Sequence, residues 1–225
     1  MAWIQTYLDN ECTIGSDEIP VSLIEIGVVF GRMCRFGGHT KDPYTVAEHS
    51  VYVSRLVPDE LRVAALLHDA HEVYTGLGDV CKPTKELINS LSDNLIRRLE
   101  HAADRAIADH FEFPVGDFYA EEIKYADLIA MAHESRDLMG PHPKPWIELP
   151  EPPSWKLGAT MGMGEDATAQ FLMECVRAGL KVVSSVTRIH HKETDLTAAL
   201  EASLDASRPD RDNLGEPSTD NGALD

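Results

Sequence analysis

Three observations on the sequence predict an all-α fold for this chain. Apolar residues recur at the 3.6-residue spacing of an amphipathic helix, most clearly from Leu95 to Ile107. Two capping boxes, Ser22–Glu25 and Thr45–Glu48, mark helix starts, because their side chains satisfy backbone N–H groups that lack a helical partner. No stretch alternates apolar and polar residues in the way that a half-buried strand does.

Glycines and prolines separate the predicted helices. The segment RFGGHTKDPY is expected to be a loop without a helix or strand, because it contains Gly37, Gly38 and Pro43. The proline-rich stretch 140–164 is predicted to wrap around the domain. Its tryptophans, Trp146 and Trp155, are the expected docking points. The helical segments are expected at residues 22–34, 45–57, 59 to beyond 72, 82 to about 111, 118–139 and 165–183.

Length and charge limit the possible functions. The 225 residues suit one domain, predicted over 1–189 with its core at about 22–183, and an acidic tail over 190–225 that is expected to be disordered. The net charge of −18 argues against a polymeric nucleic acid as partner, since that binding depends on neutralising phosphates. The four cysteines are scattered, which favours reduced thiols. No signal peptide or membrane span is evident, so a cytoplasmic protein without membrane attachment is expected.

The stretch LLHDAHEVYTGLGD, residues 66–79, carries the strongest chemical signal. His68 and Asp69 end an apolar stripe, at a place where a core is expected to meet a cleft. On a helix, Glu72 shares a face with both residues, so the three side chains can converge. A His–Asp pair elsewhere is usually surface decoration, but a buried one needs a partner, and a divalent cation is the obvious candidate.

His49 and Asp127 are further candidate ligands on other predicted helices, and each has a plainer interpretation. His49 lies on an apolar stripe and could be a core histidine. Asp127 also falls on an apolar stripe, where a carboxylate is costly unless it is paired or metal-bound. Its alternative is a cap or an ion pair with Lys124 or Arg136.

Taken together, the order H…HD…D resembles the HD-domain phosphohydrolases, all-helical enzymes with a metal site inside a helical bundle. The segments YTVAEHS, LLHDAHEVYTG with the following GDV and PTK, and KYADLIAMAHESRDL are similar to the branch that contains bacterial 5′-deoxynucleotidases. Related phage enzymes that remove triphosphate from deoxynucleotides, including dATP, lie near this branch. The resemblance covers roughly residues 22–140 and implies an HD-domain helical bundle.

The resemblance also implies roles for individual residues. The metal ligands would be His49, His68, Asp69 and Asp127. Glu72 would orient or deprotonate the attacking water. The residues expected to contact substrate are Arg35 and Phe36 at the 5′-phosphate and sugar, Asp79 at the 3′-hydroxyl, and Lys82 and Lys85 at the phosphate.

One of these assignments has a structural alternative. Asp79 could instead cap its turn or pair with Lys82, and an apparent insertion of Leu77 and Gly78 precedes it. His71 is expected to be exposed.

The predicted activity is a metal-dependent phosphohydrolase that converts deoxynucleoside monophosphates into deoxynucleosides and phosphate. The cofactor would be a divalent ion such as Co²⁺, Mn²⁺, Zn²⁺ or Mg²⁺. The alternatives are a dNTP triphosphohydrolase that releases tripolyphosphate and a catalytically silent nucleotide-binding regulatory module. The expected partner is a small deoxynucleotide, and a homo-oligomer is expected.

Overall fold

The computed structural model describes residues 2–144 and 148–182 and shows a predominantly helical protein. Trp146 and the acidic tail, and with them the predictions for both, lie outside the described residues. The α-helices of the described ranges are α1 (Leu23–Phe30), α2 (Val46–Ser54), α3 (Arg62–Leu66), α4 (His71–Thr75), α5 (Lys82–Leu91), α6 (Leu95–His110), α7 (Glu121–Leu138) and α8 (Glu165–Arg177). Short 3₁₀ turns cover Arg35–Gly38, Asp59–Leu61 and Val115–Tyr119.

The expectation that the chain has no strand was wrong. Strands β1 (Trp3–Gln5) and β2 (Glu11–Thr13) pair antiparallel, with Ile4 opposite Cys12. Each strand has only three residues, which is too short for a period-2 pattern to be recognised in the sequence.

The N-cap half of each predicted capping box is confirmed, whereas the glutamates accept from residues elsewhere in the chain: Glu25 from Leu8 and Glu48 from Thr160. The hydroxyl of Ser22 accepts a hydrogen bond from the backbone N–H of Glu25, and that of Thr45 accepts one from Glu48. The helices that follow end earlier than predicted, at Phe30 and Ser54. Helix boundaries of this kind depend on tertiary packing as well as on local sequence.

Helix α2 lies at the centre of the structure and packs against α1, α3, α7 and α8. Its buried residues include His49, whose side chain is fully enclosed. Helix α4 packs on α6, and α5 also packs on α6, although α5 itself buries no residue. The centre of α2 therefore faces both the α3–α4 connection and α7, which brings the sequence-predicted ligands together.

Trp155 docks on the domain as predicted, with its ring against Tyr52 and His133. Among the described residues, no helix combines the length and the apolar character that crossing a membrane requires.

Candidate metal centre

His68 and Asp69 lie in a tight turn between α3 and α4, so the prediction that one regular helix carries them was wrong. The backbone N–H groups of Ala70 and Glu72 bond to the carbonyls three residues earlier, at 2.8 and 3.0 Å. This 3₁₀-type spacing makes side chains at i and i+3 eclipse one another. Asp69 and Glu72 therefore still lie on the same side of the chain.

Donor atoms from α2 and from this turn converge at the centre of the domain. The Nε2 atom of His49 lies 3.3 Å from Nε2 of His68 and 3.7 Å from Oδ2 of Asp69. The Nε2 atom of His68 lies 3.3 Å from the same carboxylate oxygen. Asp127 on α7 adjoins this group, since its Oδ1 is 3.3 Å from Nε2 of His49.

Hydrogen bonds on the far side of both rings determine which nitrogen faces the centre with a lone pair. Nδ1 of His68 donates to the carbonyl of Ala65 at 2.8 Å, and Nδ1 of His49 bonds to Oε1 of Glu134 at 2.6 Å. Both acceptors require the proton on Nδ1, which leaves Nε2 as the acceptor in the neutral rings. Two nitrogen lone pairs and the carboxylate oxygens would repel one another unless a cation or a proton lay between them.

The spacing of these atoms fits a metal ion. Ligand bonds of about 2.0–2.2 Å at right angles place neighbouring donor atoms about 3 Å apart. His49, His68 and Asp69 each offer a donor atom within 4.8 Å of the others. Buried groups of this kind could hold a divalent cation.

Without a metal ion, the electrostatics of the protein favour a proton on His49 at the place where a cation would lie. Burial lowers the pKa of His49, but its bonds to Glu134 and Asp127 outweigh burial and raise that pKa to about 10. Burial lowers the pKa of His68, which keeps its Nε2 lone pair available. Burial opposes the charge on Asp69, yet the neighbouring His68 ring and a nearby guanidinium hold the pKa of Asp69 well below its usual range. A bound cation would take the place of the proton on His49.

Asp127 does not form the ion pair with Lys124 or Arg136 that was its alternative interpretation. Lys124 binds Glu121 at 2.8 Å, and Arg136 binds Asp137 at 2.8 Å. The Asp127 carboxylate faces His49 instead, and the hydrogen bond with His49 outweighs burial and lowers the pKa of Asp127.

Glu134 is the main site residue that sequence reasoning missed. It is fully buried on α7, accepts from His49, and lies 3.4 Å from the guanidinium of Arg35. These positive charges outweigh burial and lower the pKa of Glu134. The sequence feature that could have identified Glu134 is its position seven residues after Asp127, which is two helical turns along the same face.

Replacing Glu134 by glutamine tests this supporting role. The amide can still accept from His49 but has no charge, so we expect metal affinity to fall by roughly 10–100-fold, as for other partners that orient a metal-bound histidine. Isothermal titration with Mn²⁺ measures the change. Glu122→Gln, at an exposed position on the same helix, is the matched control, and equal affinities for the two variants would contradict the role.

Arg35 is buried beside the same cluster. Its guanidinium lies within 4 Å of four carboxylates, and its Nε has no hydrogen-bond partner among the described residues. The backbone N–H of Arg35 bonds to the carbonyl of Tyr44 at 2.9 Å, which fixes the main chain from which this side chain extends. The four carboxylates belong to Asp69, Asp79, Asp127 and Glu134.

Asp79 holds the turn that carries Arg35 and Phe36. Its Oδ2 accepts from the backbone N–H of Phe36 at 2.8 Å, and its Oδ1 is 3.7 Å from the Arg35 guanidinium. Phe36 has a φ of 56°, a left-handed conformation that is uncommon for a residue with a side chain and that this hydrogen bond helps to stabilise. Asp79 therefore supports the turn at Phe36, a contact that is neither the cap of its own turn nor the pair with Lys82 that were its alternatives, and a role at the sugar stays a prediction.

Glu72 is buried with one oxygen engaged and the other free of hydrogen bonds to described residues. Its Oε1 lies 3.5 Å from Nζ of Lys85, whereas Oε2 has no partner there. Burial and then the charge of Asp69 raise the pKa of Glu72 to about 8. Lys85 also binds Glu100 at 2.8 Å, while Lys82 lies exposed at the start of α5.

The expectation that His71 is exposed was wrong. Its side chain retains only 12% exposure, and its Nδ1 bonds to the buried carboxylate of Asp104 at 3.1 Å. Asp104 also accepts from the hydroxyl of Tyr119 at 2.6 Å. Asp104 was missed because its partner lies on α4, far away in the sequence.

Fold and site together define a class: a predominantly helical protein with buried histidine and carboxylate groups that could hold a metal ion. No family model matches the chain. The chain is 38% identical over 141 residues to the uncharacterized protein YfdR of Escherichia coli (strain K12), an alignment that covers 61% of this chain and 73% of YfdR. The chain therefore belongs to the same family as YfdR.

Proposed function

We propose that this protein is a metal-dependent phosphohydrolase that cleaves the 5′-phosphoester of deoxynucleotides, converting a deoxynucleoside monophosphate into a deoxynucleoside and phosphate. The observation that carries the proposal is the convergence of two imidazole lone pairs and carboxylate oxygens beside the buried Glu72. Arg35 supplies one positive charge to these carboxylates, and a divalent cation at the donor atoms of His49, His68 and Asp69 would supply the further charge that so many buried acceptors need.

The proposed fold is an HD-domain bundle. The ligand order supports it, since His49 comes from α2, His68 and Asp69 come from the turn after α3, and Asp127 comes from α7. The described structure that buries them is predominantly helical.

The residues that would hold the metal are His49, His68, Asp69 and Asp127. Two imidazoles and two carboxylates suit a borderline or hard divalent ion such as Mn²⁺, Co²⁺, Zn²⁺ or Mg²⁺. Such an ion supplies Lewis acidity toward a phosphate oxygen and lowers the pKa of water.

Glu72 is the proposed acceptor for the proton of the attacking water. Its free Oε2 has the capacity to accept that hydrogen bond, and a pKa raised by burial suits a group that takes up a proton near neutral pH. Lys85 keeps the other oxygen fixed through its ammonium group. A catalytically silent module would have no use for this arrangement, which favours the enzyme over the regulatory alternative.

Charge balance explains how the site could accept an anionic phosphate. Six carboxylates lie within 4 Å of Arg35 or Lys85, so the protein alone presents a net negative charge, and a divalent cation would reduce it. Arg35 would then neutralise the phosphoryl oxygens, with its unpartnered Nε as one available donor, and Lys82 and Lys85 would contribute positive charge. The six carboxylates belong to Asp69, Glu72, Asp79, Glu100, Asp127 and Glu134.

A deoxynucleoside triphosphate is the alternative substrate, because attack at its α-phosphorus has the same transition state and releases tripolyphosphate. Incubating the protein with a panel of dNMPs and dNTPs under several divalent ions, and identifying the products, tests the proposal. Release of phosphate from dNMPs supports it. Release of tripolyphosphate from dNTPs would identify the alternative.

Selection for the sugar is tested through Asp79. If its carboxylate also accepts from the 3′-hydroxyl, Asp79→Ala should lower kcat/KM for deoxynucleotides by roughly ten- to more than a hundredfold, the worth of a hydrogen bond to a charged group. A 2′,3′-dideoxynucleotide should then be a poor substrate for the parent enzyme. Equal turnover of deoxy- and dideoxynucleotides would leave Asp79 with its role at the turn of Phe36 alone.

A further inference from the structure

A cleft of about 190 Å³ opens directly beside the candidate metal ligands, and no role has been assigned to it. His68 and Asp127 are among its lining residues. The rest of its wall comes from His71 at the start of α4, from α6, from the 3₁₀ turn that ends at Tyr119, and from the first turns of α7. The cleft therefore adjoins the place where a molecule bound at the candidate metal ligands would lie.

The chemistry of the cleft favours a flat, largely apolar group. Phe118 and Ile123 are buried and form an apolar floor. Tyr119 keeps 36% exposure at the rim, and the ring of His101 packs against it with centroids 5.0 Å apart. Aromatic rings at the edge of a cleft are the usual surface on which nucleobases stack.

The charges of the cleft argue against a polyphosphate chain as its occupant. The Lys124 ammonium is bound to Glu121 at 2.8 Å, and His71 is bound to Asp104. The carboxylates of Glu100 and Asp104 also face the cleft and would repel phosphate. The positive charges of these two lining residues are thus already paired.

The volume of the cleft also favours a single ring system as its occupant. The cleft is smaller than the roughly 300–1,000 Å³ of sites for drug-sized ligands, so it would take one part of a nucleotide and not the whole. We propose that the cleft receives the nucleobase of the substrate, and that Tyr119 and His101 set its base preference. This inference rests on the proposed function, since it requires the phosphate to lie at the metal ligands.

Tyr119→Ala is the direct test. Loss of the stacking ring should raise KM for dNMPs by roughly ten- to a hundredfold and should reduce the differences in kcat/KM among the four bases, while metal content stays the same. Tyr119→Phe keeps the ring and should keep the KM. Tyr125→Ala removes an exposed tyrosine elsewhere on α7 and is the matched control.

Two results would overturn the inference. One is a KM and a base ranking in Tyr119→Ala that equal those of Tyr125→Ala. The other is inhibition by inorganic tripolyphosphate that Lys124→Ala weakens, since it would place phosphate in the cleft.

The test also separates this inference from the proposed function. If the parent protein hydrolyses no nucleotide, the proposed function fails, and saturation-transfer NMR with free deoxynucleosides decides about the cleft. Binding that is lost in Tyr119→Ala and kept in Tyr125→Ala would support a base site, and absence of binding to the parent protein would overturn it.

Discussion

Replacing Glu72 by alanine should lower the rate of phosphate release by roughly 10²–10⁴-fold, which is the usual worth of a positioned acid–base group. Metal binding and nucleotide binding should stay nearly intact, because the three convergent donor atoms belong to His49, His68 and Asp69. The rate is measured as single-turnover phosphate release at saturating nucleotide, and the metal content is measured on the same preparation.

Glu72→Gln separates proton transfer from packing. Glutamine fills the same buried space, so a comparable loss of rate in both variants assigns the effect to the missing carboxylate. Glu86→Gln, at an exposed position on α5, is the control for a change of charge. Loss of metal from the Glu72 variants would show that Glu72 is itself a ligand, which the proximity of Asp69, His71 and Glu72 makes a meaningful alternative.

Replacing Asp69 by asparagine should remove both the metal and the turnover. Asp69 supplies the carboxylate oxygen that lies 3.3 Å from His68 and 3.4 Å from Arg35, so the substitution removes a ligand and a counter-charge together. The loss of metal affinity should exceed roughly 10–100-fold, which is the usual loss when a residue that hydrogen-bonds to a metal ligand is altered.

Asp109→Asn provides the matched control, since Asp109 is exposed near the end of α6. Thermal unfolding with and without Mn²⁺ checks that the Asp69 variant folds. If the variant keeps its metal and loses only turnover, Asp69 is not a metal ligand and acts on the substrate instead.

Local features of the sequence predicted local features of the structure. The hydroxyls of Ser22 and Thr45 accept from residues only three positions away, so their capping roles depend on nearby residues alone. The turn at His68 was not predicted, because apolar residues continue through it from Leu66 to Tyr74 as they would in one helix. Choosing between an α-helix and a 3₁₀ turn at such a place depends on what packs against it.

The separation of residues along the chain explains which site residues could be predicted from the sequence. His68, Asp69 and Glu72 are close in sequence, so a spacing argument could join them. Glu134 meets His49 only because α7 packs on α2, and 85 positions separate the two residues in the chain. The partners of His71 lie on another helix, so the residues next to it in the sequence do not indicate that it is buried.

The central claim is that a metal ion held by His49, His68, Asp69 and Asp127 is required for phosphoester hydrolysis. The most direct test is to strip the protein with EDTA, add back Mn²⁺ or Co²⁺ in steps, and follow bound metal and phosphate release from a dNMP together. Activity should be absent from the stripped protein and should rise in proportion to bound metal until about one ion per chain is reached. Full activity in the exhaustively chelated protein would contradict the account.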